Sequence, residues 1–204
     1  MTGKVVGLGV LVSGSGSNLQ AILDAEVRGE LSAEVRLVVS NIPGVRALER
    51  AAAAGVPWKV LSHKAFSTRE AYDDALVGAL KEAGVELVAL AGFMRIVTPR
   101  FLQAFAGRVV NIHPSLLPAF PGLHAQRQAL TAGVKESGCT VHFVDEGCDT
   151  GAIIAQAKVP VLPGDDEAAL TARILVEEHR LYPAVIRALA EGRVSVHGRD
   201  VVIG

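Results

Sequence analysis

The sequence predicts an α/β fold, a mostly parallel sheet with helices on both faces. Two observations carry that expectation. Short apolar, β-branched runs alternate with longer segments of helical period through the first half of the chain. Half of the 204 residues are hydrophobic against 20 % charged, which suits a compact chain with a sizeable core rather than a disordered one. At this length a single domain over residues 1–204 is expected.

Taken in order, strands are predicted at Val5–Val12, Val35–Ser40, Trp58–Leu61, Leu87–Ala91 and Val109–Ile112. The helices between them have legible ends. Ser67 followed three residues later by Glu70 reads as a capping box, and Gly84 stops the same helix. Thr98 and Pro99 read as N-cap and first helical residue. After Val110 the pattern changes: Pro114, Pro118 and Pro121 crowd into a long loop suited to a lid or binding role. Strand-like runs at Thr140–Val144 and Ile153–Val161 follow, then a long amphipathic helix from Asp166 to Glu191, kinked or interrupted by Pro183. The tail Val194–Ile203 reads as a hairpin. There is no repeat, low-complexity tract or linker.

Bulk chemistry narrows the function. With 20 basic and 21 acidic side chains, no net field advertises a nucleic acid or an anionic membrane, so an anionic ligand must be held locally. Cys139 and Cys148 are the only cysteines and match neither a CxxC pair nor a zinc set, which points to a reduced, cytoplasmic setting and no metal. Lys4 before the run Val5–Val12 resembles a weak signal peptide, but the run flows straight into turn chemistry, as a buried first strand does. No stretch reaches the ~18 apolar residues of a membrane span.

The first strand ends in SGSGSN, Ser13 to Asn18, with a helix from about Leu19. Such a turn aims unpaired N–H groups and the positive end of a helix dipole at one point, which favours a single phosphate. Ser15, Ser17 and Asn18 add side-chain hydrogen-bonding groups. It is neither a Walker A loop, lacking the Lys-Ser/Thr pair, nor a dinucleotide fingerprint, since Leu19 replaces the third glycine. A plain N-capped turn remains the alternative.

Residues 109–114 read VVNIHP, an apolar strand whose last positions become polar. Strand alternation puts Asn111 and His113 on one side and Ile112 on the other. Ligands of open parallel sheets bind at the carboxyl ends of strands, so an amide donor and an imidazole there could stabilise an acyl-transfer oxyanion. His63, His142, His179 and His197 are read as structural, and His124 as a residue of the proline-rich loop.

The segment NIHPSLLPAFPGLHAQRQAL, Asn111 to Leu130, resembles the core motif of the folate-dependent formyltransferases. Further blocks agree in order and spacing: SGSGSNLQAI, STREAY, LAGFMRI, HFV, AQAKVPV and EEHRLYP. The resemblance covers nearly the whole chain and implies the formyltransferase fold, a Rossmann-like sheet. It also implies transfer of a formyl group from 10-formyltetrahydrofolate to the amine of glycinamide ribonucleotide in purine biosynthesis, without a metal.

Position by position, the resemblance implies Asn111, His113 and Asp149 as the catalytic group, and Gly16, Ser17 and Asn18 as the phosphate site. Glu178 would face the ribose or amide part of that substrate. The folate would occupy a pocket of Leu90, Phe93, Met94, Arg95, Ile96 and Val97, with Asn111 and the segment from Asp145 to Asp149, while Arg69 and Arg95 meet its glutamate tail. Two departures are visible: Ser15 stands where many relatives have Asn or Arg, and the folate loop reads DEGCDTG. An Asx-type turn residue is the structural alternative for Asp149.

Rival readings are a formyltetrahydrofolate hydrolase or another family member, whose extra domains are not expected here. Outside the family stand a serine hydrolase using Ser115 with His113, which lacks its GxSxG elbow, and a non-catalytic phosphosugar-binding domain resting on the 14–18 turn. The sequence carries no sign of oligomeric state, monomer or homodimer.

Overall fold

The structure, a computed structural model, describes residues 5–204. Lys4 and its part in the signal-peptide reading lie outside the described residues. Five strands run parallel: β1 (Val6–Val12), β2 (Ala33–Ser40), β3 (Trp58–Val60), β4 (Leu87–Leu90) and β5 (Val109–His113). β6 (Glu136–Phe143) and β7 (Ile153–Pro160) join antiparallel, giving a seven-stranded sheet of order β3-β2-β1-β4-β5-β6-β7. The strand order reverses between β1 and β4, and the crevice above that point is where an open α/β sheet receives ligands.

Six helices cover the sheet: α1 (Ser17–Val27), α2 (Arg46–Ala53), α3 (Arg69–Glu82), α4 (Pro99–Ala104), α5 (Ala125–Ala132) and α6 (Glu167–Ala190). The alternation of β1 separates two cores. Leu8, Val10 and Val12 pack with Leu19 and Ile22 of α1 and Leu170 and Ile174 of α6. Leu11 faces the other way, onto Tyr72, Leu76 and Leu80 of α3 and Phe101 of α4. Each side of the sheet therefore has its own apolar layer, as a strand run buried on both faces requires.

Three local expectations are corrected. The cap of α3 is Thr68, whose side chain accepts the Ala71 amide, so Ser67 is not the N-cap and Glu70 stands at the second helical position, out of place for a capping box. Helix α1 starts at Ser17, two residues before the expected Leu19. The proline-rich segment is not all loop, for α5 occupies Ala125–Ala132 behind an N-cap, His124, in the left-handed region.

Helix α6 begins after Asp166, whose side chain accepts the Ala169 amide, and it runs through Pro183 as one helix. It docks by polar as well as apolar contact. The buried Tyr182 hydroxyl lies 2.9 Å from the Leu90 carbonyl and 3.1 Å from the Val110 carbonyl. One turn earlier on the same face, Glu178 is thereby held over the strand ends. The hairpin of β8 (Val194–His197) and β9 (Asp200–Ile203) forms as expected, and Arg199 at its tip donates to the Thr150 carbonyl at 2.6 Å.

Candidate active site

The carboxyl ends of β4 and β5 open into a cavity of about 560 Å³. Its walls bring together Leu90, Phe93, Met94, Arg95, Ile96, Val97, Asn111, His113, Asp149, Asn18 and Glu178, residues drawn from five separate segments. Gly122, Leu123 and His124 close one side. Met94, Ile96 and Leu123 expose 66, 53 and 70 % of their surface, an apolar rim with no protein partner to cover it. A flat apolar ligand between such side chains would remove this surface from water.

Asn111 and His113 point to the cavity side of β5, as alternation requires, and Ile112 packs into the opposite core. Asp149 arrives from the loop after β6. Its Oδ2 lies 3.3 Å from Nδ1 of His113 and accepts the Gly122 amide at 2.8 Å, while Oδ1 accepts from Nδ2 of Asn111 at 3.4 Å. Burial alone would push this carboxyl up, but hydrogen bonds from His142 and Gly122 and the charge of His113 outweigh it and hold its pKa at about 2. Asp149 has φ 55°, a left-handed conformation that Asp tolerates better than most residues. Next to it, a Cβ on Gly151 would overlap the Phe143 carbonyl, so the loop can turn back toward β5 only with glycine there.

A fourth member of the cluster is His142, read from the sequence as merely structural. Antiparallel pairing sets it directly opposite Asn111, and its Nε2 lies 3.2 Å from the Asn111 amide and 3.5 Å from Asp149. Its Nδ1 faces the Phe143 carbonyl at 2.8 Å, which fixes the proton on that nitrogen. Nε2 then accepts from Asn111 when the ring is neutral and donates to Asp149 when it is charged. His113 is buried, and its Nε2 faces the Phe120 carbonyl at 2.9 Å. Both its nitrogens face acceptors, so only the doubly protonated ring makes both contacts.

At the other side of the cavity the phosphate-type turn differs in detail from expectation. Gly16 is left-handed at φ 70°, buried, and so close to α2 that a Cβ would lie 2.7 Å from Ala47 Cα. Ser15 is exposed, and it is its carbonyl that is engaged, accepting from Arg50 Nε at 2.9 Å. The Asn18 side chain is committed to Glu178, with Nδ2 to Oε2 at 2.7 Å, and its Oδ1 has no partner although buried. Ser17 lies on the opposite flank, lining a shallower depression with Arg50 and His179. Burial, only partly offset by the Asn18 hydrogen bond, pushes the Glu178 carboxyl up to about 7.

Three predicted site residues direct their side chains onto the protein itself. Arg69 donates to the Ile96 carbonyl at 2.9 Å, supporting the loop from outside. Arg95 lines the cavity and places its guanidinium 5.2 Å over the Tyr72 ring. Asp145 turns its carboxylate onto the Thr150 hydroxyl and Gly147 amide, as an Asx turn does. The hydrolase reading of Ser115 is overturned: its hydroxyl is fully buried and donates to the Ala119 carbonyl, away from His113. Among the described residues no cluster of His, Cys, Asp or Glu has metal-site geometry, and no helix is long and apolar enough to cross a membrane.

Known proteins resemble this chain over most of its length. A trifunctional purine biosynthetic protein adenosine-3 from Drosophila melanogaster is 57 % identical over 189 residues, 92 % of this chain but 14 % of its own length. A phosphoribosylglycinamide formyltransferase from Escherichia coli is 50 % identical over 188 residues, 92 % of this chain and 89 % of the relative. The crystal structure of glycinamide ribonucleotide transformylase 1 from Symbiobacterium toebii superposes with a TM-score of 0.97 at 54 % identity, covering 98 % of this chain and 95 % of that one. The family model for formyl transferase matches residues 6–186, from β1 into α6 and across every cavity-lining segment, and the chain belongs to that family.

Proposed function

We propose that the chain transfers the formyl group of 10-formyltetrahydrofolate to the amine of glycinamide ribonucleotide, a step of purine biosynthesis. The observation that carries the reading is the convergence of Asn111, His113 and Asp149 on one wall of a cavity whose other side holds Asn18 and Glu178. The folate supplies the formyl carbon; this chain supplies orientation, charge and proton handling.

The fit of a folate rests on the apolar rim of Met94, Ile96 and Leu123 above the buried Phe93 and Val97. Within the loop, the Met94 amide and the Ile96 carbonyl are already engaged by Ser13 and Arg69, which leaves the backbone of Arg95 and Val97 to read a pterin edge. Arg69 retains further guanidinium donors for a tail carboxylate. The substrate phosphate would lie on the free N–H groups at the start of α1, with the Ser17 hydroxyl and the backbone of Gly16 and Asn18, and Glu178 would accept from a ribose hydroxyl.

Attack of the amine on the formyl carbon develops negative charge on its oxygen. The Asn111 amide bonds, at 3.2 and 3.4 Å, lie at and just past the long end of the usual range, so this donor can be recruited by an oxyanion. Asp149 balances a charged His113, whose Nε2 proton is available to the reacting centre once the Phe120 carbonyl gives way. The amine proton then reaches the leaving nitrogen through water with His113 assisting. The two free cysteines suit a reducing, cytoplasmic setting.

The test mixes the protein with 10-formyltetrahydrofolate and glycinamide ribonucleotide and follows deformylated folate. Turnover that needs the amine supports transfer. Equal turnover without it indicates hydrolysis, and no turnover with tight ribonucleotide binding indicates a phosphosugar-binding module.

A further inference from the structure

We infer that Ser13 is a positioning residue that couples the two substrate subsites, so that a ligand on the 14–18 turn raises affinity for a ligand on the 92–97 loop. The inference rests on the assignment of those segments to the ribonucleotide phosphate and the folate.

Ser13 is the last residue before the phosphate-type turn, and it is buried. Its hydroxyl donates to Oδ1 of Asn41 at 2.6 Å and accepts the Met94 amide at 2.9 Å. Asn41, also buried, is oriented in turn by Nδ1 of His63, 3.4 Å from its Nδ2. The hydroxyl proton is thereby committed to Asn41, and a lone pair is left for Met94 alone. One oxygen atom joins the end of β1 to the backbone of the folate loop.

Each side of this joint has something to gain from being ordered. On one side, the turn is tied to α2 by Ala47 N–H to the Gly14 carbonyl at 3.1 Å and by Arg50 to Ser15, and a phosphate on its N–H groups fixes it further. On the other, Met94 and Ile96 are exposed, so the loop depends on Phe93 and Val97 for its packing and on few hydrogen bonds for its shape. The Met94–Ser13 bond is the one that answers to the phosphate turn. Ordering either segment lowers the conformational cost of ordering the other, and by linkage the benefit is reciprocal. No such coupling follows from the catalytic cluster, which Ser13 does not touch.

Isothermal titration with glycinamide ribonucleotide and tetrahydrofolate, each alone and each in the presence of the other, tests the inference. In the parent protein, saturating ribonucleotide is expected to lower the folate Kd by about fivefold or more, and the converse by the same factor. Ser13→Ala is expected to bind both ligands with the coupling factor reduced to near one. A parent factor of one, or an undiminished factor in Ser13→Ala, overturns the proposal while leaving the functional reading standing. Failure of the parent to bind either ligand overturns both. Should the variant not fold, the parent alone decides by NMR: the Met94 amide is expected to shift on adding ribonucleotide without folate, and an unmoved resonance overturns the coupling.

Discussion

Oδ2 of Asp149 and Nδ1 of His113 lie 3.3 Å apart, joining the loop after β6 to the end of β5. With a carboxyl pKa held at about 2, Asp149 is charged throughout the working range of an enzyme. Asp149→Asn keeps the size and an acceptor for the Gly122 amide but removes the charge facing two imidazoles. We expect turnover to fall about 10²-fold or more, with both Michaelis constants changed little. A fall in turnover of less than about threefold removes Asp149 from the mechanism.

The same carboxyl shapes acid stability. Its folded pKa lies below the ordinary 3.8, so its contribution is present above that value and is lost as pH falls through about 2. The parent is therefore expected to lose roughly 2 kcal/mol relative to Asp149→Asn across that window. Urea unfolding of both proteins between pH 5 and 2 measures it, and parallel curves would contradict it.

Glu178 behaves in the opposite sense. Its folded pKa, about 7, is raised above 4.5, so the benefit of burying the neutral acid is complete below 4.5 and is lost as pH rises through 7. Glu178→Gln retains an acceptor for Asn18 and carries no charge at any pH. It should melt above the parent at pH 8 and close to it at pH 5. The ribonucleotide Michaelis constant of the variant should rise while that of the folate holds.

At Gly16 two constraints meet, the left-handed backbone and contact with Ala47. Gly16→Val cannot be accommodated without moving the turn off α2. Steady-state kinetics should show a Michaelis constant for the ribonucleotide raised at least about tenfold more than that for the folate, since the loss falls on the N–H groups proposed to hold the phosphate. A selective change in the folate constant would reverse the assignment.

Arg69 donates to the Ile96 carbonyl. Arg69→Ala is expected to weaken a glutamylated folate by about 1.5–3 kcal/mol, the range of a charged hydrogen bond, and a tail-less analogue by much less. Equal losses in a competition binding assay would confine Arg69 to supporting the loop.

The parts of this molecule that were legible in sequence are those set by local pattern. The apolar runs of β1 to β5, the start of the long helix at about Asp166 and the terminal hairpin carry their signals within a few residues. The cap of α3 slipped because Ser67 and Thr68 are both competent and the backbone angles at Thr68 decide between them. Helix α5 was hidden among prolines, behind a left-handed histidine that no pattern announces. Strand alternation singles out Asn111 and His113, whereas Asp149 joins them only through the family resemblance, because tertiary folding alone brings it close. His142 reads as structural for a related reason: its position opposite Asn111 depends on the antiparallel pairing of β6, which local periodicity does not encode.

The hairpin β8–β9 lies beyond the span matched by the family model, yet Arg199 at its tip holds the Thr150 carbonyl, one residue from Asp149. A substitution there changes no group that touches substrate and no layer of either core. It changes how firmly the loop beneath the active carboxylate is clamped. The tail thus bears on the setting of the Asp149 loop from outside, without lending a residue to the cavity wall.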